Sequence, residues 1–341
     1  MHDVTVFRWL LRACDPEGCE RLPEVRLGCA QAVLLAEAAR EHGVAGTVLR
    51  NLRQLLEHDD AVQVLTDPRE QPAVAEAWRL AAERCLAEVA QSLLLRARAA
   101  SLLAAFRRAG VPAAIVKGED FADRLYELPG LRTFRDIDVL LPRTAVDAAA
   151  GLMDEQGFFW VHPAGKYDRD YGERVWDHPG PPRVRVELHW NMITCPSQRR
   201  RSTLGWDDLE WLAAGSRLQA SPESLLLIAC AHAAISHRFD RLQHLCDIRQ
   251  ICRGRAGELR CDAVRELTLR CGLSAAVTGG LEVTSRLLQD ENCRHLLARL
   301  QLPARQGPWK ALVSGASLLA PATRTSKLRQ TVIREWLKRS A

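Results

Sequence analysis

The segment Leu131-Arg132-Thr133-Phe134-Arg135-Asp136-Ile137-Asp138-Val139-Leu140-Leu141 constrains this chain more than any other. Extended backbone turns successive side chains to opposite faces. Ile137 and Val139 therefore enter a core while Asp136 and Asp138 share the other face, about 7 Å apart at the backbone. Two acids leading into Val139-Leu140-Leu141 lie at the edge of a core, where a cation or an arginine must compensate them. Such a pair can lean onto one or two divalent cations. Mg2+ suits it, with Mn2+ as substitute, because Mg2+ takes hard oxygen ligands and is usually completed by substrate phosphates. A later segment, Val184 to Trp190, also alternates with period two. There Val184, Val186 and Leu188 face one way and Arg185, Glu187 and His189 the other, so Glu187 joins the acidic pair if the two strands are neighbours. His189 shares its face and is placed to touch substrate or orient a carboxylate, with ordinary packing beside Trp190 as the alternative.

Helical patterns flank these strands. Ala30 to Arg40, Ala45 to Leu56 and Ala75 to Gly110 carry apolar residues at three- and four-residue spacing, and Gly110-Val111-Pro112 stops the last of them. Ala113 to Val116 then reads as a buried strand leaving into a turn at Lys117-Gly118, and Glu119 to Tyr126 as a short amphipathic helix. Thr144 to Gly157 is helical, with Thr144 as N-cap and Gly157 as terminator. Phe158 to His162 is strand-like, and Pro163 to Arg183 reads as a hairpin region or active-site loop. From Leu204 onward the pattern is helical, with Ser221-Pro222-Glu223 as a helix start before the apolar run Leu225 to Ala231. The fold class is α+β: a helical region over 1–110, a small mixed-sheet core over 111–200, and a helical region with a basic tail over 201–341.

Composition excludes several classes. With 47% hydrophobic and 26% charged residues and no run of eighteen apolar residues, neither disorder nor a membrane span is expected. Eleven irregularly spaced cysteines without a Cys-x-x-Cys pair point to free thiols rather than a zinc ribbon or a disulfide scaffold. No basic segment leads into an apolar one near Met1, so no secretory signal is expected and the cytoplasm is the expected location. Net charge is +5, but Gln301 to Ala341 holds eight Lys/Arg against Glu335 alone. That tail reads as a solvated helix face or as a contact for nucleic acid or another polyanion.

Other chemistries find little support. No Gly-rich phosphate loop and no Gly-x-Ser-x-Gly occurs. His232 and His237 are five apart, which on an α-helix puts them on different faces, so a zinc hydrolase is not expected. His2-Asp3 and His58-Asp59 lack the distant partners of a metal phosphohydrolase. A second triplet, Asp168-Arg169-Asp170, sits in a polar stretch and reads as a solvated loop.

Several stretches together carry a resemblance: Ile115-Val116-Lys117-Gly118, Leu125-Tyr126, Pro129-Gly130-x-Arg132, Asp136-Ile137-Asp138-Val139-Leu140, and Val186-Glu187-Leu188-His189-Trp190. They resemble the uncharacterised nucleotidyltransferase family of the DNA polymerase beta-like superfamily. Weaker similarity reaches Ala36 to Val44, and Ser221 to Leu226 with His232 and Asp247. The resemblance implies transfer of a nucleoside monophosphate from an NTP by two metal ions, held by Asp136 and Asp138, with Glu187 completing the acceptor-side metal and assisting deprotonation. The wider superfamily has Gly-Ser at the turn after the first strand, where this chain, like the family's own pattern, has Lys117-Gly118. Lys117 then supplies a point charge to the phosphates and Gly118 lets the backbone approach. Arg132 is a phosphate or carboxylate partner, with a structural ion pair as its rival. The acceptor stays open among a small molecule, a peptide or protein side chain, and a tRNA end. Two alternatives remain: a catalytically inactive binding or accessory protein of antitoxin-like kind, and a glycosyltransferase, whose larger doubly wound sheet needs more strands than this chain offers.

Overall fold

A computed structural model describes residues 4–19, 27–58, 71–161, 171–180, 183–303, 307, 312–313 and 324–340. Four helices come first: α1 (Val4–Ala13), α2 (Cys29–Glu41), α3 (Ala45–His58) and the long α4 (Gln71–Arg108). Ala, Leu, Glu and Arg dominate α4, and Arg79 bonds Glu76 and Glu83 along its surface. Gly110 ends it in the left-handed region (φ +68), with its N–H on Arg107 O and that of Val111 on Phe106 O. By length and composition α4 could cross a membrane, a test that core helices also pass; it packs against α2, α3 and the sheet.

The sheet is built next. β1 (Ala114–Ile115) leads into α5 (Gly118–Leu125); β2 (Ile137–Leu140) is followed by α6 (Val146–Glu155), then β3 (Phe159–Trp160), β4 (Glu173–His178) and β5 (Val184–His189). Their order is β1-β2-β5-β4-β3, with β2 and β5 parallel and the other pairs antiparallel. Ile137, Val139, Val186 and Leu188 sink into an apolar layer with Leu95, Leu102 and Phe106 of α4. This burial fixes which way the acids face, because a slip of one residue would put carboxylates into that layer. Thr144 does not cap α6: a 3-10 turn, Arg143–Ala145, precedes the helix, which starts from Ala145 without a side-chain cap. The strand β4 falls within the stretch read as a hairpin region or loop. Asp168 and Asp170 lie outside the described residues.

Beyond a short turn of helix, α7 (Pro196–Arg199), the stretch expected to be helical from Leu204 first makes a two-stranded hairpin, β6 (Trp211–Ala214) and β7 (Arg217–Ala220). Gly215 at φ +60 supplies the tight reversal that a helix reading overlooks. Then come α8 (Pro222–Ala231), whose N-cap Ser221 accepts from Ser224 N, a π-helical turn at His232–Ser236, α9 (Leu242–Cys252), α10 (Cys261–Arg270), α11 (Ser274–Leu287), α12 (Glu291–Leu300) and α13 (Arg324–Ser340).

The two helical regions share one core: Trp9, Leu10, Leu35 and Val48 pack in the same apolar cluster as Leu225, Leu226, Ile248 and Val277. Each such side chain contributes about 1.5–3 kcal/mol by leaving water. Asp15 braces the join, 2.7 Å from Arg253 and 2.9 Å from Arg249. The first helices also clamp the approach to β2. Gly46 of α3 lies so close to the Pro129–Leu131 turn that a Cβ there would meet Gly130 O at 1.9 Å, and Thr47 Oγ1 donates to Leu131 O. Among the described residues, which include all eleven cysteines, no disulfide forms.

Candidate active site

The site starts where β1 ends. Val116 N bonds Asp138 O, pinning the first strand to the second, and the chain then turns sharply through Lys117 and Gly118 into α5. Lys117 takes φ +56, ψ −143, a region that side chains other than glycine rarely occupy and that costs about 1–3 kcal/mol. The strain aims its ammonium back under the sheet, where Nζ lies 2.7 Å from Asp138 Oδ1.

Parallel pairing puts Asp138 directly beside Glu187. His189 links them: its Nε2 is 2.9 Å from Asp138 Oδ1 and 3.4 Å from Glu187 Oε2. Ligand atoms of Asp138, Glu187 and His189 all lie within 4.8 Å of one another, close enough to hold one metal ion. Asp136, one residue before β2, faces the same cluster. A further acid joins them. Glu173 opens β4 opposite His189 in register, with Oε2 3.2 Å from its Nδ1.

Four carboxylates around one ammonium and one imidazole leave a surplus of negative charge. Burial, together with repulsion from Asp138 and Glu187, raises Asp136 to about 7. Burial likewise raises Glu173, with Glu187 adding repulsion against the pull of His189. For Asp138, burial is outweighed by the Lys117 charge and the His189 bond, and its pKa is lowered. For His189, burial and Lys117 are outweighed by its bonds to Asp138 and Glu187, and its pKa rises to about 9. A divalent cation relieves this surplus, and hard carboxylate oxygens are the donors that Mg2+ or Mn2+ takes, so the residues present fit such an ion.

Arg132 is spent on the protein itself. Its guanidinium grips Asp247 of α9 through two bonds of 2.8 and 2.9 Å and donates to Gly118 O at 3.1 Å, while Tyr126 donates to the same carboxylate. The carboxylate partner is thus Asp247, and the pair holds the Lys117-Gly118 turn to the C-terminal helices. Lys117, Gly118, Arg132, Asp136, Asp138, Glu187 and His189 all line one cavity of about 1020 Å3. Arg40, Arg135 and Arg241 line it too, and Arg329 of the basic tail closes on it from α13. Sequence reasoning missed Glu173 and the lining arginines, and it named Arg132 and Asp247 without pairing them; the mixed composition of β4 gave no signal for Glu173.

His232 and His237 also line this cavity, and the expectation that they lie on different faces fails. The turn at His232–Ser236 is π-helical, with His237 N bonded to His232 O, so a spacing of five brings the two rings together, 4.5 Å between centroids.

The sequence matches the uncharacterised nucleotidyltransferase family over residues 29–289, from the start of α2 to the end of α11. The chain belongs to that family. Within this family member, the matched span holds the whole five-stranded sheet and every carboxylate of the cluster. No curated protein matches the chain. Among solved structures, an antigenic nucleotidyltransferase-like protein from Paracoccidioides brasiliensis is similar at 16% identity and a TM-score of 0.29, over 56% of this chain and 91% of that one.

Proposed function

We propose that this family member transfers a nucleoside monophosphate from an NTP to an acceptor hydroxyl or similar nucleophile, the acceptor bonding the α-phosphorus as the α–β anhydride breaks and pyrophosphate leaves. One observation carries the reading: Asp136, Asp138 and Glu187, from two strands paired in parallel, converge beside Lys117 at the floor of a cavity. Divalent ions, Mg2+ or Mn2+, held by Asp136, Asp138 and Glu187 would neutralise the triphosphate and lower the barrier to an in-line displacement.

The chain's own groups take the remaining tasks. Lys117 and the first-turn amides of α5 face the phosphates, where a helix N-terminus and a point charge both favour anions. His189, 2.9 Å from Asp138 and 3.4 Å from Glu187, fixes both carboxylates in place. Glu187, more exposed than Asp138, takes the acceptor's proton. Arg132 and Asp247 position the Lys117-Gly118 turn without touching substrate. The cavity, about 1020 Å3, is at the upper end of small-molecule pockets, room for a nucleotide with part of an acceptor. Its arginines favour an acceptor carrying negative charge, a tRNA end among them.

The second reading, an inactive nucleotide-binding accessory protein, draws on the commitment of Asp138 Oδ1 to both Lys117 and His189. Incubation with each labelled NTP, Mg2+ or Mn2+ and cell extract separates the two, with Asp138→Asn run in parallel. Transfer by the native chain and its loss in the variant is the expected result. Label transfer that survives Asp138→Asn refutes the catalytic assignment, and nucleotide binding without any transfer supports the accessory role. An RNA acceptor requires retardation that weakens steeply with salt; no retardation at low salt removes that branch.

A further inference from the structure

The helical wall of the cavity carries a second constellation. We infer that His232, His237 and His244 form a site for a borderline-soft transition-metal ion of the zinc class, separate from the carboxylate cluster. Ligand nitrogens of the three imidazoles all lie within 4.8 Å of one another. Ring centroids are 4.5 Å apart for His232 and His237, 4.7 Å for His232 and His244, and 4.2 Å for His237 and His244. Zn2+ with nitrogen at about 2.0–2.1 Å needs its nitrogens roughly 3.4 Å apart, a contraction from the present spacing that the partly buried His232 and His237 would have to supply.

Packing alone does not account for the cluster. His244 is 4% exposed, and its Nδ1 has no hydrogen-bond partner. Asp240 Oδ1 is likewise buried and without a hydrogen bond, although it lies 3.3 Å from His237 Nδ1 and 3.9 Å from His244 Nδ1. A buried nitrogen and a buried carboxylate oxygen left unbonded each cost about 1–3 kcal/mol. A metal ion on the imidazoles, with Asp240 orienting them as an outer carboxylate, removes both costs.

The backbone is bent to make this arrangement. The π-helical turn puts His237 beneath His232, and Arg238 (φ 52) and Phe239 (φ 58) follow in the left-handed region. That pair of strained residues reverses the chain into α9, which returns His244 to the other two rings. Rare π turns and left-handed side chains in succession are what a fold tolerates where a particular set of groups must meet.

Donor chemistry separates this site from the first one. Imidazole nitrogen selects Zn2+, Co2+, Ni2+ or Cu2+, whereas carboxylate oxygen suits Mg2+ and Mn2+. Three protein nitrogens also leave a fourth position for water or a group of a bound molecule, as in catalytic rather than structural zinc sites.

The test uses the full chain, stripped with chelator and titrated with Zn2+ by calorimetry and with Co2+ by visible absorption, in native, Asp138→Asn, His237→Ala and His244→Gln forms. One equivalent is expected to survive Asp138→Asn with unchanged ligand-field bands, and to weaken at least 100-fold in His237→Ala and His244→Gln. Millimolar Mg2+ is expected not to displace it. Uptake unaffected by either histidine substitution, uptake lost in Asp138→Asn, or no stoichiometric uptake overturns the inference. His237 is half-exposed, so its variant keeps the test decisive even if the buried His244 proves necessary for folding. Because metal uptake is read without turnover, this result and that of the label-transfer experiment are independent.

Discussion

Asp136→Asn is expected to make the metal-free protein more stable at pH 8, although the substitution removes a proposed metal ligand. The folded chain raises this carboxyl from 3.8 to about 7, chiefly through burial and then through Asp138 and Glu187. Below 3.8 the group is protonated in both states and costs nothing. Between 3.8 and about 7 the unfolded chain releases the proton while the folded one keeps it, so stability falls as pH rises. Above 7 the cost is constant. At about 1.4 kcal/mol for each tenfold change in proton affinity, the ceiling is about 4 kcal/mol, and screening in a partly open cavity lowers it to about 1–3 kcal/mol. Denaturant unfolding of native and variant chains in chelator from pH 4 to pH 9 measures the difference directly. Asn is expected to gain across this window and to lose its advantage toward pH 4, and excess Mg2+ or Mn2+ at pH 8 is expected to stabilise the native chain more than the variant. A variant that is equally stable or less stable at pH 8, or a difference that ignores pH, would show that the carboxylates do not repel as their positions require.

The positioning pair, the backbone strain and the interhelical clamp have their own expected outcomes. Arg132→Lys keeps the charge but loses the two-pronged grip on Asp247 and the bond to Gly118 O, so unfolding free energy is expected to drop by about 2–4 kcal/mol and label transfer with it; unchanged thermal unfolding would contradict the ion pair. At Lys117, glycine relieves the positive φ while methionine does not, so Lys117→Gly is expected to be about 1–2 kcal/mol more stable than Lys117→Met, with NTP affinity reduced in both. Equal stability of these two variants would remove the strain argument. Gly46→Ala forces a Cβ to within 1.9 Å of Gly130 O and is expected to destabilise by about 2 kcal/mol or more, visible in circular dichroism melts; a neutral effect would mean that α3 does not press on that turn.

Local pattern reveals which side chains share a face, and stops short of which strands lie side by side. Period two in Asp136 to Leu141 and Val184 to Trp190 declares which side chains share a face, because a strand's two faces meet different solvents. It says nothing of which strand lies alongside, so the Asp138 to Glu187 register became visible only in three dimensions. Glu173 escaped because β4 mixes Glu, Arg, Asp and His, and its polar face owes its place to the cavity rather than to water. Arg132 could not be assigned from sequence, since Asp247 is 115 positions away. The histidines misled for a different reason. A spacing of five was judged on α-helical geometry, and a single π turn changes the rotation per residue enough to bring His232 and His237 onto one side.

Because the turn after α1 is tied to α9 and to the residue that follows it, the order of synthesis matters. Cys246 of α9 bonds the carbonyl of Cys14 across 232 positions, and Arg253 reaches Asp15 across 238. Trp9 and Leu10 can pack on α2 and α3 as soon as these are made, but the apolar cluster they belong to stays incomplete until the residues from Leu225 to Val277 have followed. Contacts of such sequence separation close slowly, so an incomplete chain keeps part of this apolar cluster open and is prone to associate with its own kind.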